Sequence, residues 1–178
     1  MRSNNGLKEI ESISSNYSFR MKHVWHPDKG FRKNKILNQA ILVSDSDHLI
    51  FIDSDCVPHS KFVEEHLNER SENTVSTGRR VNLSQKITSL LTEDKIKEGY
   101  LESSNVLLLE DALLGESNYV EKGFYFENKL LRKLFNKKAR GLLGCNFSLF
   151  KKDMLAINGF DERYEAPAIG EDSDVQFR

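Results

Sequence analysis

Four consecutive apolar residues, Leu49, Ile50, Phe51 and Ile52, run directly into Asp53-Ser54-Asp55-Cys56-Val57-Pro58. A run this short reads as a strand covered on both faces, the kind that lies inside a parallel or mixed sheet. The switch to two carboxylates and a proline ends it abruptly and leaves Asp53 and Asp55 at its carboxyl end, where open α/β sheets collect their ligands. Before it, Ile36, Leu37, Ala40, Ile41 and Val43 form one apolar stripe, which predicts a helix over 31–44. After it, Phe62, Val63, His66 and Leu67 predict another helix, followed by a short strand near 74–81. Helix and strand alternating in this order predict an α/β layered fold.

The rest of the chain fits around that centre. Leu7, Ile10, Ile13 and Ser14 recur at helical spacing and predict an amphipathic helix over about 6–16. Over 19–25, Phe19, Met21, His23 and Trp25 alternate with Arg20, Lys22 and Val24, the pattern of a half-buried strand. His26-Pro27-Asp28-Lys29-Gly30 is turn chemistry. Residues 84–140 are charged, helix-rich and poor in strand signals. They read as two or three helices laid over the sheet, an insertion within a single domain spanning 1–178. A strand pattern returns over 144–150, where Cys145, Phe147 and Leu149 alternate with Asn146, Ser148 and Phe150. A short helix with Met154, Leu155 and Ile157, a Gly159-Phe160-Asp161 turn and a helix opening after Gly170-Glu171-Asp172-Ser173-Asp174 complete it.

Composition narrows the function classes. Leu, Ile, Val and Phe make up 51 of the 178 residues, well above the ~20% below which chains stay disordered. The 26 basic residues nearly cancel the 27 acidic ones, so a nucleic-acid partner is not expected, although a local basic patch is compatible with that balance. Two cysteines far apart in sequence, Cys56 and Cys145, exclude a disulfide framework and a cysteine zinc site, and fit a reducing compartment. No apolar run approaches the ~20 residues of a membrane span, and the first ten residues lack the apolar stretch of a signal peptide. The expected location is the cytoplasm.

Chemistry-bearing residues fall into three groups. The chain holds three Asp-x-Asp pairs among 11 aspartates, so spacing decides little and context must decide. Asp45 and Asp47 lie in a polar connection and read as a solvated loop. Asp53 and Asp55 follow an apolar strand with no cation between them, and two carboxylates there repel unless something positive joins them. Hard divalent ions take such oxygen ligands and share them with substrate phosphates; the alternative is a polar turn with an N-capping aspartate. Glu171 and Asp172 can serve as a general base or cap a helix and complement its dipole. Arg32 and Lys35 lie three apart at a helix start, where anions bind, or form a solvated basic face. The five histidines show no two-histidine metal spacing, and there is no nucleophile elbow, P-loop or dinucleotide-binding glycine motif.

These segments also carry a family resemblance. Residues 23–40 (HVWHPDKGFRKNKILNQA) and 49–58 (LIFIDSDCVP) resemble family-two glycosyltransferases of the GT-A fold, a Rossmann-like mixed sheet flanked by helices. Residues 144–161 (GCNFSLFKKDMLAINGFD) and 170–174 (GEDSD) look like the second half of the same enzymes. The resemblance covers nearly the whole chain outside the helical middle. It implies a nucleotide-sugar donor, a divalent Mn²⁺ or Mg²⁺, and transfer to an acceptor hydroxyl with inversion, as in surface polysaccharide or lipopolysaccharide synthesis. Asp55 would hold the metal, Asp53 would contact the ribose or the same metal, and Asp53, Ser54 and Asp55 belong to the donor-binding block with Arg32, Lys35 and Asn38. Asn146 would line the acceptor pocket, and Asp172, with Glu171 beside it, would deprotonate the acceptor. The family begins with a strand and nucleoside turn that Met1–Gly6 does not contain, and Arg178 falls before any downstream metal-binding histidine. The resemblance therefore implies a sheet lacking its first strand, in a chain shortened at both ends. Two other classes stay open: a non-catalytic binding domain of the same fold, and a nucleotidyltransferase, whose glycine-rich lysine loop is missing. The basic, leucine-bearing segment 129–140 reads as a helix packed on the sheet with solvated charges, or as one that lies on an anionic membrane, which would suit a lipid-linked saccharide acceptor at the inner membrane face.

Overall fold

The computed structural model describes residues 3–27, 29–135, 141–166 and 172–178. Strand β1 (His48–Ile52), strand β2 (Ser76–Thr77) and strand β3 (Asn146–Phe150) form a sheet in the order β1-β3-β2. Both pairings are antiparallel, with Phe51 opposite Phe147, Ile52 opposite Asn146 and Thr77 opposite Phe147. β1 and β2 thus run in the same direction, connected through helix α3 (Phe62–Asn68), but the late strand β3 fills the place between them. This corrects the expectation of a parallel or mixed sheet: the like-directed strands never touch. It also corrects the expectation that β1 is covered on both faces. Leu49 is buried, while Ile52 at the strand's end is exposed, and β1 lies at the sheet's edge.

Alternation assigns the two faces of this sheet different chemistry. On one, Phe51 stacks on Phe147 at 4.4 Å, with the edge of Phe160 closing against both rings. Leu49, Leu149, Ile41, Met154, Leu142 and Val175 complete this core. Ile41 comes from helix α2 (Lys33–Val43), Met154 from helix α4 (Lys151–Ala156) and Val175 from helix α5 (Ser173–Phe177). On the opposite face Asn146 and Ser148 meet His66 of α3, whose ring is buried and bonded to both.

Helix α1 (Ser3–Ser14) forms as its periodicity predicts, although Ile13 stays exposed. The alternating segment 19–25 does not become a strand. Its Phe19, Met21 and Trp25 are exposed, and it is tied to the end of α2 by Arg20 and Lys22 pairing with Asp45. Period-two alternation selects an extended backbone, but a strand also needs a ladder partner, and none among the described residues meets this segment.

Among the described residues between β2 and β3 lie five short helices (Gln85–Ser89, Glu93–Lys97, Tyr100–Ser103, Asn105–Leu113 and Lys129–Phe135) and a 3-10 turn at Val120–Lys122. The expectation of two or three helices is too low, because Gly99 and Gly115, both at positive φ, and repeated caps at Ser84 and Thr92 break the segment into short pieces. These pieces share a small core of their own, Ile87, Leu108 and Val120. The segment is tied to α3 by Glu65, which accepts from Tyr125 at 2.9 Å and pairs with Arg132. Among the described residues no helix is long and apolar enough to cross a membrane.

Candidate functional site

Antiparallel pairing brings one end of all three strands together. Asp53 and Asp55 follow the end of β1, Gly78, Arg79 and Arg80 follow the end of β2, and Gly144 and Asn146 stand at the start of β3. The first residue of α2 and the N-cap of α5 reach the same place. Lys33 Nζ lies 3.6 Å from Asp53 Oδ1 and 3.8 Å from Asp172 Oδ1. One ammonium thus stands between carboxylates from two distant segments, offsetting the repulsion they would otherwise feel.

Each member is held by its surroundings. The Asp53 carbonyl accepts from Cys56 N–H at 3.1 Å, which turns the chain so that exposed Ser54 and Asp55 project past the strand. Asp172 stands at the N-cap position of α5 without a side-chain capping bond, and that helix is docked by three contacts. Val175 enters the core, Gln176 Oε1 accepts from Leu142 N–H at 2.7 Å, and Arg178 donates to the carbonyls of Ile157 and Gly159. The Asp172 carboxylate then lies where a side chain on residue 144 would begin, so a larger residue there would have to displace it. Gly78 gives Asn146 the same freedom.

Asn146 is oriented from both ends. Its Nδ2 donates to Arg79 O at 3.0 Å, which fixes its oxygen toward His66 Nε2 at 2.9 Å. His66 must then donate from Nε2 and accept from the Ser148 hydroxyl at Nδ1, 2.8 Å away. Burial lowers the basicity of this imidazole, partly offset by Asn146, in keeping with a neutral ring. The Cys56 thiol is pushed up to about 11, first by burial and then by the Cys145 sulfur beside it. The two cysteines, remote in sequence, meet beneath the Asp53 turn.

The remaining expected residues divide. Arg32 stands at the N-cap position of α2 and donates to Pro27 O at 2.5 Å, while Lys35 is exposed. Asn38 is committed elsewhere: it receives Phe160 N–H at 2.8 Å and donates to Phe160 O at 2.9 Å. With Asn34, which donates to Asp161 O, it clamps the 159–162 turn onto α2. Glu171 lies outside the described residues. Sequence reasoning missed Lys33, although it sits between the two basic residues singled out. Three-residue spacing pointed to Arg32 and Lys35, whereas the group that matters is the one facing the strand ends.

Among the described residues no cluster of three His, Cys, Asp or Glu side chains is placed to hold a metal ion. Asp53 and Asp55 offer two hard oxygen donors, and Mg²⁺-type ions are commonly held by one or two carboxylates with substrate phosphates supplying the rest. The donor set therefore fits an ion that arrives with a diphosphate. No protein-family model matches the chain, and no curated protein matches it.

Proposed function

We propose that this chain acts as an inverting glycosyltransferase of the GT-A type, using a nucleotide-diphosphate sugar and an acceptor hydroxyl. The observation that carries this reading is the Lys33 ammonium set between Asp53 and Asp172. It joins the strand-end carboxylate of one motif block to the candidate base of another. In this mechanism the donor diphosphate lies along the Asp53–Asp55 turn. Asp172 takes the proton of the acceptor hydroxyl as its oxygen attacks the anomeric carbon. The bond to the diphosphate breaks on the opposite face, its electron pair leaves with the diphosphate, and the configuration inverts. Lys33 offers a fixed positive charge between the Asp53 turn and Asp172. Asp53 and Asp55 would hold Mn²⁺ or Mg²⁺, which when bound supplies further positive charge for the departing diphosphate. Asn146, locked by His66 and Arg79, presents its remaining N–H to the acceptor. The acceptor in this reading is a saccharide or lipid-linked saccharide of surface polysaccharide or lipopolysaccharide synthesis, met at the cytoplasmic face of the membrane.

The test is calorimetric titration with a nucleoside diphosphate, in Mn²⁺ and in chelator. Tighter binding in Mn²⁺ is expected, and Asp55→Ala should abolish the difference. Equal affinity under both conditions overturns the reading.

A further inference from the structure

Beside the carboxylate cluster lies a cavity of about 370 Å³ lined by Arg79, Arg80, Tyr119, Lys122 and Leu143. That volume is within the range of small-molecule sites. Among the described residues, three of the five that line it are cations and none is acidic.

The cavity is open to solvent at exposed Arg80 and Tyr119, and hydrogen bonds tie its walls to the sheet. Arg79 and Arg80 leave the end of β2, where Gly78 N–H is bonded to Asn146 O, and Arg79 also donates to Gly141 O. Tyr119 and Lys122 come from the helical segment, brought across by the paired backbone bonds between Asn82 and Asn118, 3.0 and 2.9 Å. Tyr119 adopts φ 63°, a left-handed conformation uncommon for an aromatic residue, and its ring lies under Lys122 Nζ at 3.5 Å from the centroid. Neither Arg80 nor Lys122 has a carboxylate at ion-pair distance among the described residues. Arg80 donates to the Cys145 sulfur at 3.6 Å, and Lys122 rests on the ring.

We propose that this cavity binds the phosphate or diphosphate group of a small-molecule ligand. Arg80 would supply the planar guanidinium fork that matches phosphate oxygens and Lys122 a second charge. Tyr119 fixes Lys122 in place and offers a flat face to an attached ring. The site does not depend on the glycosyltransferase reading, since it uses neither Asp53, Asp55 nor Asp172.

The test uses the whole chain in chelator at about 0.15 M salt, where scattered surface charges are largely screened. Inorganic pyrophosphate is the probe, followed by calorimetry. Saturable binding is expected in the wild type and in Asp55→Asn. Arg80→Gln combined with Lys122→Gln should weaken it roughly tenfold or more, the loss of two charge-assisted contacts, with an unchanged melting curve. A wild type that does not bind overturns the proposal. So does affinity that survives the double substitution, or affinity lost in Asp55→Asn. Failure of Mn²⁺-dependent nucleotide binding would leave it standing, because that experiment reads the other site.

Discussion

The carboxylate of Asp172 fills the space that any side chain at residue 144 would occupy. Gly144 is therefore part of how the base candidate is placed. Gly144→Ala must move Asp172 or the strand that follows, and the expected result is a fall in sugar transfer of ~10²-fold, the scale of a small misplacement. Asp172→Asn should lose ~10²–10⁴-fold by removing the proton acceptor. Nucleotide affinity in Mn²⁺ should hold in both variants, and steady-state kinetics beside calorimetry separates the effects.

Lys33 competes with any cation for Asp53. Replacing it, as in Lys33→Gln, leaves the carboxylates uncompensated. Mn²⁺ affinity without nucleotide should then rise about fivefold or more, given ~1 kcal/mol between unit charges 4 Å apart in a watery dielectric. Turnover should fall at the same time. Paramagnetic titration of Mn²⁺ measures the first effect, and unchanged or weaker ion binding would show that Asp53 is not a ligand.

Asn38 is assigned by the structure to a joint between α2 and the Phe160 turn. Asn38→Ala leaves two backbone groups of Phe160 without these partners, at a cost of about 1–3 kcal/mol. In a chain of this length that is about 2–12 °C of melting temperature. Donor affinity of the folded variant should be unaffected, which calorimetry below the transition checks. A selective loss of donor binding would restore Asn38 to the donor site.

Stability should depend on pH through α3. Burial lowers the basicity of His66, and of His48 as well, where Arg70 and His66 add repulsion. As pH falls below about 6.5 the unfolded chain takes up protons that the folded chain refuses, so stability declines across that window and is fully present above it. Melting curves between about pH 7.5 and about pH 5.5 should show this slope, and His66→Gln should flatten it.

The helix Lys129–Phe135 exposes Leu130, Leu131 and Leu134 beside a basic sequence. Flotation with anionic vesicles at low salt should recover the protein, and neutral vesicles should not. No recovery on anionic vesicles would remove the membrane contact from the proposed function. Residues 136–140, which belong to the same basic segment, lie outside the described residues.

What could be read in the sequence was local. The apolar run before Asp53, the alternation around Phe147 and the stripe on α2 each show in a few neighbouring residues, because periodicity records which face is buried. The order β1-β3-β2 is different in kind. It depends on a strand that arrives some ninety residues later and runs the other way, and no neighbouring residue encodes that. Lys33 was missed, and Gly144 and His66 were legible only without their partners, for the same reason: those partners, Asp53, Asp172 and Asn146 among them, lie across the fold. Asn38 is the reverse case: the family resemblance implies a donor contact, while its partners across the fold are the backbone groups of Phe160.

The position of β1 has a consequence for assembly. Its outer side pairs with no strand among the described residues, so it is a template on which another chain can add. Two copies joined there by antiparallel addition would form one continuous six-stranded sheet. The Asp53 turns would then stand at opposite ends of the doubled sheet, pointing away from each other. Parallel addition of the same edges would place the two turns side by side and crowd four carboxylates together. Electrostatics alone thus favours the first arrangement, in which both sites stay open.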